Sequence, residues 1–217
     1  LSYGFLMCGI YGISERNLSW VKSYMRKCHY RGPDNNNTYC DENVTLGHNL
    51  LSITDTPSQG IQPWKTNIGN ILIYNGEIFN YHDLCNRYKN FKPKTQCDTE
   101  LLAWGLDEFG IDFLEEIDSM HAFALWDVKK KQIILSRDHA GIKPLYYSLI
   151  QGILVFGSEA KGLLDNGIIR TGMRPKVEGI IHALQQGVSD IYILDGRQTS
   201  VISRILTRNE SIGTHFS

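Results

Sequence analysis

From Met7 to about Lys161 the chain keeps returning to short apolar, β-branched runs cut off by tight polar turns, and it becomes helical only rarely. Cys8–Ser14 and Val44–Asp55 read as extended. Gly69–Tyr74 carries the apolar run Ile71-Leu72-Ile73, which the pattern predicts to end at Asn75-Gly76, a turn signal. Asp98–Phe109 switches to helical spacing: Asp98 and Thr99 suit its start, and Leu101, Leu102, Trp104, Leu106 and Phe109 form a broad apolar surface. His121–Val128, Gln132–Arg137, Lys143–Leu149 and Gly152–Ser158 return to strands. Runs of strands with few helices predict an α+β sandwich of two mainly antiparallel sheets covered by helices. Trp104, Phe109, Phe123 and Trp126 are expected in its core.

The pattern changes after Asp165. Pro175–Gln186 reads as a helix with Pro175 in its first turn, Asp190–Leu194 as a buried type of strand, and Thr199–Leu206 as a second helix. A boundary therefore falls around Leu164–Gly172, dividing the chain into residues 7–164 and a short α/β fragment, 165–217.

Composition narrows the function classes. With 42% hydrophobic and 21% charged residues the chain can bury a core. Lys+Arg 22 against Asp+Glu 23 leaves a net charge of -1, which argues against a nucleic-acid partner. No apolar run has the roughly 18 residues of a membrane span. The opening Leu1–Gly12 stretch lacks the flanks of a secretory signal. Five cysteines without CxxC spacing disfavour zinc and suit a reducing cytoplasm. His29, His48, His82, His121 and His139 show no metal-ligand spacing, so no metal site is expected.

Two short segments carry chemistry. In Met7-Cys8-Gly9-Ile10 a nucleophile is followed by a glycine that lets a ligand approach the backbone. A chain beginning at Cys8 would carry an α-amine with a pKa of about 8, a base for its own thiol. The same pattern also fits a buried cysteine at the start of an edge strand. Asn75-Gly76-Glu77 after an apolar strand offers an amide and a backbone N–H, the two donors a tetrahedral oxyanion needs. Asn-Gly alone also fits a hairpin turn. Glu77 and Asp98 can hold a substrate ammonium, or serve as a solvated charge and a helix cap.

Cys8-Gly9-Ile10-Tyr11-Gly12, Tyr30-Arg31-Gly32-Pro33-Asp34, Gly47-His48-Asn49-Leu50-Leu51-Ser52-Ile53, Tyr74–Asn80 and Cys97-Asp98-Thr99-Glu100 occur in that order. Phe123–Asp127, Ser136–Tyr147 and Ser158-Glu159-Ala160-Lys161 follow. This series resembles class II (amino-terminal-nucleophile) glutamine amidotransferases, in particular the glutaminase domain of glutamine-hydrolysing asparagine synthetases. The resemblance implies a four-layer α-β-β-α sandwich. It also implies glutamine hydrolysis to glutamate and ammonia through a thioester on Cys8, with Asn75 and the Gly76 N–H as oxyanion hole. Glu77 and Asp98 would bind the glutamine ammonium, and backbone N–H groups of Leu51, Ser52 and Ile53 its carboxylate, because Leu50 stands where those synthetases carry an arginine. No cofactor is implied for this half-reaction. ATP and Mg would belong to a separate synthetase partner that handles the ammonia acceptor, since no Ser-Gly-Gly-x-Asp-Ser loop occurs here. Leu1–Leu6 precede Met7, so the implied activity requires a chain that begins at Cys8. The Arg31–Asp34 loop is expected to support the site, and Arg137 and Asp138 to form an internal ion pair.

Gly172–Glu178, Ala183-Leu184, Gly187-Val188, Ile193–Arg197 and Ile212-Gly213-Thr214 are similar instead to the carboxy-terminal end of N-acetylglutamate kinase. Lys176 occupies the place of a phosphate-contacting lysine, yet the kinase's glycine-rich loop is missing, which argues against phosphoryl transfer. Two other readings of the whole chain are a catalytically silent glutamine-binding or interaction module, and a fusion fragment related to that kinase.

Overall fold

A strand at the centre of a sheet sandwich is covered on both sides, and β1 (Gly9–Ile13) is buried along its whole length. The structure, a computed structural model, describes residues 7–52, 60–165, 191–193 and 214–216. The chain divides into two compact units, Leu1–Ile168 and Ile169–Ser217. In the first unit β1 pairs antiparallel with β3 (Thr45–Leu50) on one side and β9 (Ile153–Gly157) on the other. β2 (Asn35–Cys40) and β8 (Tyr146–Ile150) complete a five-stranded sheet in the order β2-β3-β1-β9-β8. A second, four-stranded sheet runs β4 (Trp64–Lys65), β5 (Ile71–Ile78), β6 (Ser119–Asp127), β7 (Gln132–Arg137).

Alternation along the strands sorts the apolar residues into two cores. Ile10, Leu46 and Phe156 of the first sheet meet Ile71, Ile73, Ala122, Ala124 and Trp126 of the second, forming the layer between the sheets. Leu72, Tyr74, Phe123 and Leu125 point the other way, onto Leu101, Leu102 and Trp104 of α3 (Asp98–Phe109). α2 (Tyr81–Arg87) adds Leu84 to this outer core. On the opposite side α1 (Leu18–Lys27), capped where the Asn17 Oδ1 accepts the Trp20 N–H at 3.2 Å, lays Val21, Tyr24 and Met25 on the first sheet. It sits so close that a Cβ on Gly47 of β3 would lie 2.5 Å from the Met25 sulfur. The result is the predicted α+β sandwich of two antiparallel sheets between helices.

Three expectations need correction. Asn75-Gly76 is no turn: β5 runs through both to Ile78, paired with β6 from Ile71↔Trp126 to Ile78↔Ser119. A complete ladder with a neighbouring strand outweighs the local turn preference. Phe109 is not core but 42% exposed, because it is the last residue of α3; its ring stacks on Phe113 and meets Tyr88 at a tilt. Arg137 and Asp138 do not pair. Arg137 donates to the carbonyls of Lys143 and Gly141, while Asp138 accepts the N–H groups of His121, Ile142 and Lys143.

Within the second unit, β10 (Ile191–Ile193) pairs antiparallel with β11 (Thr214–Phe216), and β10 falls inside the strand read at 190–194. The helices read at 175–186 and 199–206 lie outside the described residues.

Candidate active site

Cys8 lies just before β1, and the β1–β3 register, Gly9↔Asn49, brings the end of β3 beside it. The Leu51 N–H donates to the Cys8 sulfur at 3.4 Å, and the thiol lies 3.7 Å from the Leu51 carbonyl. Burial pushes the thiol pKa up, and the Leu51 contact and the charge of Lys143 pull against it without cancelling it. The segment is clamped from beneath by Arg31, only 5% exposed, whose Nε donates to the Cys8 carbonyl at 3.3 Å. The Arg31 carbonyl accepts the Met7 N–H at 3.1 Å, and its Nη1 pairs with Glu159 at 2.6 Å. The loop around Arg31 therefore supports the site, with Glu159, 128 positions away, as the counter-ion.

β5 brings the other polar groups. Its alternation turns Ile71 and Ile73 toward the first sheet, so Asn75 and Glu77 follow on that face while Tyr74 packs among the helices. Asn75 is buried, and its amide Nδ2 has no hydrogen-bond partner among the described residues. A buried donor left without an acceptor costs free energy unless something that binds there supplies one. Gly76 has no room for a side chain: a Cβ would lie 2.4 Å from the Met120 carbonyl and 2.6 Å from the Tyr74 ring. Glu77 is exposed. Asp98, the first residue of α3, accepts the Ile78 N–H at 2.7 Å. Burial raises its pKa, the Ile78 contact opposes that, and the nearby charge of Glu77 adds to the rise. Two carboxylates that repel each other in this way form a ready place for a cation such as a substrate ammonium.

Of the backbone donors predicted for the substrate carboxylate, Leu51 points at the Cys8 sulfur and the Ser52 N–H donates to Asp34 at 2.6 Å. Ile53 lies outside the described residues. Leu50 is buried and offers no charge. Cys8 and Glu77 both lie within electrostatic reach of Lys143, and Asp98 within reach of Glu77.

Two residues escaped the sequence reading. Gln62 is buried and joins β5 to α3, accepting the Tyr74 N–H at 2.6 Å and donating to the Thr99 hydroxyl at 3.1 Å. A lone glutamine in a loop carries no signal for this. Lys143 is buried with its Nζ 3.3 Å from the Met7 sulfur and within electrostatic reach of Cys8 and Glu77. It stands in the Ser136–Tyr147 block, the sequence signal that points to it.

The fold is an α-β-β-α sandwich with a cysteine at the head of a central strand of one sheet and a buried asparagine on the central strand β5 of the other. The chain belongs to the class II glutamine amidotransferase domain family, whose description as a glutamine amidotransferase domain matches residues 7–191. It is 36% identical over 169 residues to a glutamine-hydrolysing asparagine synthetase of Bacillus subtilis, covering 74% of this chain and 22% of that protein. Asparagine synthetase B of Escherichia coli is 34% identical over 167 residues, 73% of this chain and 30% of the relative. The chain therefore spans less than a third of the length of these two relatives. Among solved structures, glutamine phosphoribosylpyrophosphate amidotransferase from B. subtilis shares the fold, with a TM-score of 0.64 at 18% identity over 74% of this chain and 44% of that one. Among the described residues no helix is long and apolar enough to cross a membrane.

Proposed function

We propose that this protein is a glutaminase of the asparagine-synthetase type, releasing ammonia for an acceptor handled by a separate synthetase. The observation that carries the reading is the buried Asn75 amide, without a partner among the described residues, on the strand face turned toward the sheet that begins at Cys8. In a chain beginning at Cys8, the α-amine takes the thiol proton and the sulfur attacks the side-chain amide carbon of glutamine. Asn75 and the Gly76 N–H receive the negative charge on the amide oxygen. The carbon–nitrogen bond breaks as the ammonium returns its proton to the departing nitrogen, so ammonia leaves and a thioester remains. Water, deprotonated by the same amine, hydrolyses the thioester to glutamate and restores the thiol. Glu77 and Asp98 hold the glutamine ammonium through charge-assisted hydrogen bonds. The chemistry calls for no cofactor, and ATP and Mg enter only with the synthetase partner. The functional unit in this reading is residues 7–164, with 165–217 an appendage resembling the end of an amino-acid kinase, and the setting is the cytoplasm.

The test is glutamate and ammonia release from glutamine by protein that begins at Cys8. Turnover that disappears in Cys8→Ala, and in protein retaining Met7, supports the proposal. Equal release by Cys8→Ala refutes the nucleophile and the mechanism with it. The buried Leu50 and the Ser52 N–H already engaged by Asp34 favour a second reading, a glutamine-binding or interaction module without turnover. Processed protein that binds glutamine but releases no ammonia would decide for it.

A further inference from the structure

Lys143 is buried, 7% exposed, and among the described residues no carboxylate lies within ion-pairing distance of its ammonium. A buried cation without a counter-ion is costly, so a side chain left in that state calls for an explanation. The loop holds it there firmly. The Lys143 N–H donates to Asp138 at 2.9 Å, its carbonyl accepts from Arg137 Nε at 2.8 Å, and Asp138 is also bonded to the N–H groups of His121 and Ile142. What the ammonium touches is the Met7 thioether, 3.3 Å away, a weak acceptor on the residue bonded to Cys8.

We propose that Lys143 is a positioning residue for the amino-terminal nucleophile: its ammonium, uncovered when the chain begins at Cys8, sets the ionisation of the Cys8 sulfur and α-amine. A fixed positive charge there stabilises the thiolate and disfavours the protonated amine. The first effect makes the thiol easier to deprotonate, and the second keeps the amine neutral, and so free to act as a base, at lower pH. The charged and titratable groups facing this cluster are Arg31 from the loop before β2, Glu77 on β5, Cys97 and Asp98 at the start of α3, and Asp138 after β7. Arg31 is committed to Glu159, Asp98 to the Ile78 N–H and Asp138 to its own loop, which leaves Lys143 as the cation not engaged elsewhere among them. The inference rests on the nucleophile reading above, but it is tested independently of turnover.

The experiment is alkylation of Cys8 by iodoacetamide in the full chain between pH 6 and 10, followed by mass spectrometry of the Cys8 peptide. Lys143→Met raises the midpoint by about one pH unit, equivalent to roughly tenfold slower alkylation below it, while Lys143→Arg keeps the midpoint near that of the parent. A Lys143→Met profile that overlays the parent overturns the proposal. So does a Lys143→Arg profile displaced as far as Lys143→Met, because packing rather than charge would then be responsible. In protein that begins at Cys8 and hydrolyses glutamine, Lys143→Met also moves the acid limb of kcat/KM up by about one pH unit, and an unmoved limb overturns the role toward the amine. Absence of turnover together with the alkylation shift would sink the glutaminase reading and leave the Lys143–Cys8 coupling standing.

Discussion

His48 belongs to β3, the strand that delivers Leu51 to the Cys8 sulfur, and it is 1% exposed with no partner for its Nε2 among the described residues. Burial lowers its pKa from 6.5 to about 4, a hydrogen bond with the backbone of Tyr74 pulling weakly the other way. The unfolded chain therefore takes up a proton on this ring as pH falls below 6.5, whereas the folded chain does so only near 4. The stabilisation is complete above pH 6.5, shrinks through the interval, and is gone below about 4. At about 1.4 kcal/mol per pH unit this window is worth about 3 kcal/mol, a large part of a typical domain's ~5–15 kcal/mol. The perturbation is His48→Gln, which cannot titrate. Urea unfolding of parent and variant at pH 7.5 and pH 4 isolates the effect, because the constant cost of the substitution and the titration of all other groups cancel in the difference. The parent should lose about 3 kcal/mol more than the variant over that interval. Parallel losses, within about 1 kcal/mol, would refute the reasoning and mean that the ring reaches water or a partner in the folded protein.

Other expectations concern the site and its support. In protein beginning at Cys8, Asn75→Ala should lower kcat by about 10²–10³ with little change in KM, while Glu77→Ala or Asp98→Ala should chiefly raise KM; steady-state kinetics with glutamine separates the two patterns. Arg31→Met leaves Glu159 without its counter-ion and the Cys8 carbonyl without its donor, and because Glu159 is 25% exposed the cost should sit near about 3 kcal/mol, the low end for a broken buried pair, read from urea unfolding at pH 7.

The helix Asp98–Phe109 can be read from sequence to the residue, although the expected capping by Asp98 and Thr99 does not occur: the N-cap is Cys97 without a side-chain cap bond, and Asp98 accepts the Ile78 N–H instead. What makes it legible is its continuous apolar surface, a local signal. The strands Gln132–Arg137 and, within two or three residues, those on either side of it are legible for the same reason. The identity of Cys8, Asn75, Glu77 and Asp98 as candidates is likewise a matter of residue type and order. What sequence could not supply was α1 and β2: β2 runs Asn-Asn-Asn-Thr-Tyr-Cys and is a strand because β3 pairs with it along its full length. The Asn75-Gly76 pair shows the same limit from the other side. Its local chemistry favours a turn, and only the ladder with β6 and the crowding of Met120 and Tyr74 around Gly76 make it strand.

Contacts between distant positions belong to tertiary structure alone. Arg31 meets Glu159, Lys143 meets Met7, and Gln62 joins Tyr74 to Thr99, none at a spacing that any local period records. Periodicity tells which face of an element is apolar, so it determines the sandwich and the candidate residues. It is silent on which partner will lie across that face, and there the register of β1 on β3 decided that Leu51 meets Cys8, while that of β5 on β6 kept Asn75-Gly76 within the ladder.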